Sequence, residues 1–179
     1  YGARSWVRQH KGAKWDDGRI KKDPFETGVG QGLQSYYLNL RRDKFKDIRV
    51  REALGYTYDF DTADRYKLFK RADSVFNNSD FAAQGLPSPG ELKLLEPFRN
   101  ELPPAVFGPA FVAPRTHREP KELRANLLKA RALLAAAGWK LAADGKLRNA
   151  RGDAFEIEYL TPSEGTRMPD WELNLAKLG

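Results

Sequence analysis

Apolar and polar residues alternate in a short stretch near the end of the first fifth of the chain. In residues 34–40 (QSYYLNL), Tyr36, Leu38 and Leu40 fall on one side, together with Gln34. Alternation with a period of two, in a segment rich in aromatic and aliphatic residues, is typical of a β-strand. The pattern therefore predicts a strand over residues 34–40.

A helical pattern follows a charged turn at residues 41–44. Asp47 occupies the position of an N-cap, where a carboxylate accepts hydrogen bonds from free backbone N–H groups. Apolar residues then recur at helical spacing and form one face; they are Val50, Ala53, Leu54 and Tyr58. The sequence predicts an amphipathic helix that begins immediately after Asp47.

A second helix start is marked by Ser88, Pro89 and Glu91. Serine at the N-cap, proline at the first helical position and glutamate three residues after the cap form a capping box. The residues predicted to point inward from this helix are Leu92, Leu95 and Phe98.

The last third of the chain has the clearest periodicity. Residues 121–137 predict a long helix that Gly138 ends. Its apolar stripe consists of Leu123, Leu127, Ala130, Leu134 and Ala137. An Asp-Gly turn within residues 139–147 predicts a hairpin, and alternation predicts a strand over residues 155–159. A final helix is predicted to carry Trp171, Leu173, Leu175 and Leu178. These elements together predict a mixed α/β (α+β) fold.

Glycines at positions 28, 30 and 32 resemble a phosphate-binding loop only superficially. A dinucleotide fingerprint needs a strand before the glycines and a helix after them, and a P-loop needs a lysine followed by serine or threonine. The sequence provides neither arrangement. We therefore interpret Gly28, Gly30 and Gly32 as positions that give the backbone conformational freedom.

The net charge of +7 raises the alternative of a basic nucleic-acid-binding domain. Trp6 and Trp15 lie among the early lysines and arginines, where indole rings can stack on bases. Acidic residues interrupt the same run, and no RNP, KH or zinc-finger pattern occurs. A solvated basic face is the preferred interpretation, and nucleic-acid binding is the alternative.

Candidate catalytic and metal-binding residues are few. The chain has two histidines, His10 and His117, and no cysteine, so cysteine-based metal sites and disulfides are excluded. Asp59, Asp61 and Asp64 do not have the spacing of a calcium loop, so we interpret them as capping or solvated carboxylates. We expect no metal site and no enzymatic activity.

The length of the chain and its first residue indicate whether it is part of a longer protein. The 179 residues contain no run of 18 apolar residues. The chain begins at Tyr1 without a methionine and shows no signal peptide, so we expect a mature or excised piece of a longer chain that carries a signal peptide.

Three groups of segments resemble a known family. Residues 39–42 (NLRR), 45–54 (FKDIRVREAL) and 58–59 (YD) resemble a signature of the family 5 extracellular solute-binding proteins, the periplasmic receptors of ABC importers. Segments between residues 78 and 107 resemble the subgroup that imports peptides, including peptide antibiotics and cell-wall peptides. Segments between residues 130 and 159 again resemble the family.

The resemblance implies one lobe of a type II periplasmic-binding fold that has two lobes. Residues 1–35 would be a segment close to the hinge, and residues 36–179 a partial second lobe that is incomplete at its C-terminus. The implied function is reversible capture of oligopeptides or related solutes in the periplasm and delivery to permease subunits. No cofactor and no nucleic acid are implied, and we expect a monomer.

Candidate ligand contacts follow from the same resemblance, because the segment before residue 39 lies near the hinge and cleft of these receptors. Polar and aromatic side chains in the middle of the chain are also suited to binding a peptide. The predicted ligand-binding residues are Gln31, Gln34, Tyr37, Asn39, Phe76, Asn77 and Asn78.

Overall fold

The computed structural model describes residue 5 and residues 8–23, 25, 32–64, 67, 69–77, 79–161 and 169–179. The chain divides into two compact units. Unit 1 is formed by Tyr1–Ser35 and Tyr66–Ala113, and unit 2 by Tyr36–Arg65 and Pro114–Gly179.

Unit 1 contains short helices and irregular segments. Helix α1 spans Ala13–Asp16, and helix α5 spans Pro89–Leu95. Two 3₁₀ helices follow, over Glu96–Phe98 and Pro104–Phe107. Among the residues described in this unit, Ala113 is the one buried apolar residue, and its backbone N–H donates to Asp73 at 2.8 Å.

Helix α5 starts as the sequence predicts. The Ser88 hydroxyl accepts from the backbone N–H of Glu91, and the Glu91 carboxylate accepts from the backbone N–H of Ser88 at 2.7 Å. This capping box satisfies backbone donors that a helix start otherwise leaves free. Leu92 and Leu95 are half-buried, but Phe98 is exposed, so the prediction that Phe98 points inward is wrong. The turn of 3₁₀ helix after Leu95 changes the direction in which Phe98 points.

Unit 2 is built around two packed helices. Helix α2 spans Asp43–Lys46, helix α3 spans Ile48–Thr57, helix α4 spans Phe60–Ala63 and helix α6 spans Pro120–Ala136. Strands β1, Lys140–Leu141, and β2, Leu147–Arg148, form an antiparallel hairpin. Helix α7 spans Pro169–Ala176. The N-cap predicted at Asp47 is confirmed, because its side chain accepts from the N–H of Arg49.

The core of unit 2 lies between α3 and α6, and the hairpin and the end of the chain complete it. Its buried apolar residues are Phe45, Val50, Ala53, Leu54, Ala130, Leu134, Leu147 and Leu178. The apolar stripes predicted for the two helices supply five of these eight side chains. Tyr58, predicted on the first stripe, follows the end of α3, and both Tyr58 and Leu123 are half-buried. Gly138 follows α6 with φ +92°, a conformation that suits glycine and ends the helix as predicted.

Two predicted strands are absent from the structure. Residues 34–40 and 155–159 are extended or irregular, and the described part of the chain offers them no continuous ladder of backbone hydrogen bonds. Arg148 forms an isolated bridge with Ala154, just before the second segment, and the backbone N–H of Phe155 donates to the carbonyl of Leu147 at 2.8 Å. The alternation itself is retained in part, because Tyr36 and Leu38 are half-buried while Leu40 is exposed.

The face of the last helix also differs from the prediction. Leu173 is exposed, and Asn174 is buried in its place. The Asn174 side-chain amide donates to the backbone carbonyl of Thr57 at 3.1 Å. This hydrogen bond accounts for a polar residue on the buried face, because a buried amide needs a partner.

We predict that Leu134→Ala destabilises the protein by about 2–5 kcal/mol, because it leaves a cavity between α6 and α3. Leu134 is fully buried, whereas Leu128 on the same helix is 57% exposed. The matched variant Leu128→Ala is expected to change the free energy of unfolding by less than about 0.5 kcal/mol. Urea denaturation followed by circular dichroism measures both, and equal losses in the two variants would contradict the packing described.

Candidate functional site

Two of the predicted ligand-binding residues lie in unit 2. Tyr37 is 84% exposed, so its ring is available to a ligand. Asn39 is also exposed, and its side-chain oxygen accepts from the backbone N–H of Arg41 at 3.1 Å. This short-range bond stabilises the turn before α2. It uses the side-chain oxygen of Asn39, and the side-chain N–H groups of Asn39 take no part in it.

Three further predicted residues lie in unit 1. Gln34 is exposed, Phe76 is 55% exposed and Asn77 is half-buried. The ring of Phe76 lies 6.2 Å from that of Phe81, which forms a small aromatic pair on this unit. Gln31 and Asn78 lie outside the described residues. The seven residues therefore stay predicted contacts.

An aromatic cluster in unit 2 is the most developed surface feature of that unit. It consists of Tyr36, Tyr58, Tyr159 and Trp171. The Tyr36 ring stacks on the Trp171 ring, with centroids 4.4 Å apart and planes at 26°. Tyr159 meets Tyr36 edge-on at 5.2 Å, and Tyr58 meets Trp171 edge-on at 6.2 Å. Both arrangements are favoured by the charge distribution of aromatic rings.

Hydrogen bonds hold the aromatic cluster in place. The Trp171 indole N–H donates to the hydroxyl of Thr57 at 2.7 Å, and this hydroxyl donates to the carbonyl of Leu54 at 2.7 Å. Burial, followed by the proximity of Tyr159, raises the pKa of Tyr36 well above its ordinary value. Tyr36 is therefore neutral at physiological pH.

The sequence patterns place these aromatic residues on separate elements and do not bring them together. Tyr36 falls on a predicted strand face, Tyr58 on a predicted helix face, and Trp171 on the last predicted helix. Each segment contributes one ring, so no local motif marks the cluster. One feature of the sequence does point to the cluster. Each of these segments carries an aromatic residue, either at one end of the segment or on its apolar face.

The carboxylates of Asp59 and Asp61 hold the loop that leads into α6. The buried hydroxyl of Thr116 donates to Asp59, which also caps α4 by accepting from the N–H of Thr62. Asp61 accepts from the backbone N–H groups of Thr116 and His117, each at 2.8 Å. The acidic pair therefore acts as a hydrogen-bonded clamp. Asp59 caps a helix as predicted, whereas the role of Asp61 in holding a distant loop was not predicted.

Two non-glycine residues in this loop have left-handed backbone conformations. His117 has φ +48° and Arg118 has φ +64°. The Arg118 guanidinium donates to the carbonyl groups of Asp61 and Asp64, at 2.7 and 2.9 Å. Hydrogen bonds to Asp61, from main chain and side chain, thus offset the cost of a conformation that ordinary residues adopt rarely.

Opposing effects set the pKa of Asp61. Burial is the largest single effect and raises the pKa, but the backbone N–H groups of Thr116 and His117 lower it, and the sum is a pKa below the ordinary value. The pKa of His117 is raised, because its ring is hydrogen-bonded to the Glu122 carboxylate at 2.8 Å. Since the pair is exposed to solvent, its contribution to stability is small.

Metal-binding clusters and membrane-spanning helices are both absent from the described ranges. No three His, Asp or Glu side chains there come together as a set that would hold a metal ion. The helices in that part of the chain lack the combined length and apolar character needed to cross a bilayer.

A small apolar cavity lies in unit 2. Its volume is about 280 Å³, which is at the lower limit for a small-molecule pocket. Its lining residues are Leu147, Phe155, Ile157, Glu172, Leu175, Ala176, Leu178 and Gly179. A cavity of this size accommodates one side chain of a ligand but not an entire peptide.

The early basic run has contacts within the chain that reduce its suitability for nucleic acid. Arg19 forms a salt bridge with Asp17 at 2.6 Å. The ammonium group of Lys22 lies 5.4 Å from the centre of the Trp15 ring, and the His10 ring lies 5.3 Å from the same ring. The Trp15 ring is thus already in contact with two side chains, which disfavours its use as a platform for bases.

Comparison with known proteins identifies the family. The model of the family described as bacterial extracellular solute-binding proteins, family 5 Middle, matches residues 8–173. The chain belongs to this family. The resemblance inferred from the sequence motifs is therefore confirmed. Family 5 proteins are defined by solute binding in the context of ABC transport, and not by catalysis.

Three relatives illustrate the match. The "Probable peptide-binding protein YejA" of Agrobacterium fabrum is 33% identical over 97% of this chain and 29% of its own length. The YejA protein of Escherichia coli (strain K12) is 32% identical over 90% of this chain and 27% of its own length. The "Peptidoglycan-binding protein YepA" of Agrobacterium fabrum is 33% identical over 82% of this chain and 25% of its own length. The chain thus spans less than a third of the length of each of these relatives.

We predict that Asp61→Asn destabilises the protein by about 1 kcal/mol at neutral pH, because a neutral amide oxygen accepts the two backbone hydrogen bonds less strongly than a carboxylate. The folded-state pKa of Asp61 is depressed, so its contribution is present above the unfolded-state pKa, about 3.9, and is lost as pH falls through the folded value. The difference in urea midpoint between wild type and variant should be smaller at pH 3 than at pH 7. A difference that stays constant would refute the assignment.

Proposed function

We propose that this chain is part of the substrate-binding component of a bacterial ABC importer, which captures oligopeptides or related solutes in the periplasm and delivers them to the membrane permease. The observation that carries the proposal is the alignment of 97% of the chain, at 33% identity, with a protein named for probable peptide binding. The match to the family over residues 8–173 supports the same conclusion.

The proposed place of the chain in the receptor rests on the family resemblance of its sequence segments. Residues 36–179 belong to a partial second lobe of a type II periplasmic-binding fold, and residues 1–35 lie near the hinge. Such receptors enclose a ligand by closing two lobes about a hinge, which removes ligand and cleft from water. Because the chain spans less than a third of the relatives' length, it supplies only some of the contacts to the ligand.

The proposed ligand contacts suit a peptide. Asn39 and Asn77 offer amide groups that can hydrogen-bond a peptide backbone, and the exposed rings of Tyr37 and Phe76 offer apolar cover for side chains. Gln34 lies in the same chain segment as Tyr37. The other proposed contacts are Gln31 and Asn78. Backbone hydrogen bonds combined with hydrated side-chain pockets permit broad specificity.

Capture and release in this proposal are non-covalent. The receptor works as a monomer, contacts the permease transiently and uses no cofactor. Nucleic acid is not a partner, since the pairing of Arg19 and the contacts of Trp15 disfavour the basic-domain alternative.

Native mass spectrometry of the gently purified full-length protein tests the function directly. We expect a series of added masses that match short peptides, because a closed two-lobe receptor retains its ligand through purification. Unliganded protein that binds added oligonucleotide, with affinity falling steeply as salt is raised, would instead support the basic-domain alternative.

The 179-residue chain alone is expected to bind a tetrapeptide weakly, with a dissociation constant above the micromolar range. A single lobe leaves the ligand in contact with water, so fewer groups are desolvated and paired on binding. Isothermal titration calorimetry measures this affinity. The full-length protein under identical conditions is the control, and micromolar binding by the chain alone would contradict the division of contacts between two lobes.

A further inference from the structure

We propose that the aromatic cluster of Tyr36, Tyr58, Tyr159 and Trp171 is a subsite that binds an aromatic side chain of the peptide ligand. The inference rests on the proposed peptide-binding function and specifies the ligand class. Four rings from four chain segments are brought within 4.4 to 6.3 Å of Tyr36 or Trp171.

The cluster is not a closed core. Tyr36, Tyr58 and Trp171 are half-buried, and Tyr159 is 41% exposed. In contrast, Val50 and Leu134 in the core of the same unit are fully buried. The cluster therefore keeps ring surface in contact with solvent, while the hydrogen bond from Trp171 to the buried Thr57 fixes its geometry.

The polar atom that anchors the cluster is already paired within the protein. The Trp171 indole N–H donates to the hydroxyl of Thr57, and the rings of Tyr36 and Tyr159 meet edge-on. The anchored rings therefore expose carbon atoms and π-electron faces to solvent. A polar ligand side chain would lose water there without gaining an equivalent hydrogen bond, whereas an aromatic ring gains stacking or edge-on contacts. This difference is the source of the expected selectivity.

The rigidity of the cluster favours binding. Thr57 is fully buried and receives two hydrogen bonds from α7, one from Trp171 and one from Asn174 to its carbonyl. Trp171 is thereby attached to the end of α3. A platform fixed before the ligand arrives loses little side-chain entropy on binding, which increases the affinity for a matching ring.

A phenylalanine scan of tetra-alanine tests the proposal on the full-length protein. The probes are tetra-alanine and four tetrapeptides in which phenylalanine replaces one alanine, and calorimetry measures each affinity. We expect one phenylalanine peptide to bind about fivefold to tenfold more tightly than tetra-alanine. Tyr159→Ala is expected to abolish this preference, while Tyr159→Phe retains it, because the ring remains and only the hydroxyl is lost.

A matched control variant isolates the aromatic cluster as the source of the preference. Phe111→Ala, which removes a ring that is 67% exposed on unit 1, is that control and should keep the preference. Equal affinities for all five peptides, as expected if another segment or a second copy covers the cluster, would overturn the subsite but leave the peptide-binding function intact. Retention of the preference in Tyr159→Ala would also overturn it. Failure of the wild-type protein to bind any peptide would overturn the proposed function itself.

Discussion

The close packing of α3 against α6 is the constraint on which unit 2 depends. Ala53 and Ala130 are both fully buried, and small side chains at a helix contact allow the two backbones to approach closely. Val50 and Leu134 then complete the interface without exposure to solvent. The guanidinium of Arg49 adds a polar contact to the same pair of helices, donating to the carbonyl of Ala136 at 2.7 Å.

The surface features of this unit are attached to the ends of that helix pair. At the end of α3, Thr57 receives hydrogen bonds from Trp171 and Asn174, which positions α7 and the aromatic cluster. Just beyond, Asp59 and Asp61 hold Thr116 and the loop that leads into α6. Both regions use side chains within a few residues of the α3 C-terminus, so a shift of α3 would move the aromatic cluster and the clamp together.

Local chemistry determines which elements could be predicted from the sequence. Asp47, Ser88 and Gly138 act on backbone groups only a few residues away, and each marks its helix boundary as expected. The stripe that contains Ala130 and Leu134 is equally local, because helical periodicity alone determines which residues share a face.

Features that depend on distant partners could not be predicted in the same way. A strand requires a neighbouring strand to which it can hydrogen-bond. Alternation in residues 34–40 and 155–159 indicates which side is buried, but it does not provide the neighbouring strand. The aromatic cluster joins Tyr36 to Trp171 across more than half of the chain, and the burial of Asn174 depends on the carbonyl of Thr57. The family resemblance identified the solute-binding class, but the motifs that carried it do not include Trp171.

The bond between the Trp171 indole and Thr57 makes this tryptophan an internal reporter. Its N–H lies against a fully buried hydroxyl, so exchange of that proton with deuterated solvent requires α7 to separate locally from α3. The exchange rate of a single indole proton consequently measures the free energy of that opening. Since a local opening can occur without global unfolding, the mobility of α7 becomes a quantity distinct from the overall stability of the chain.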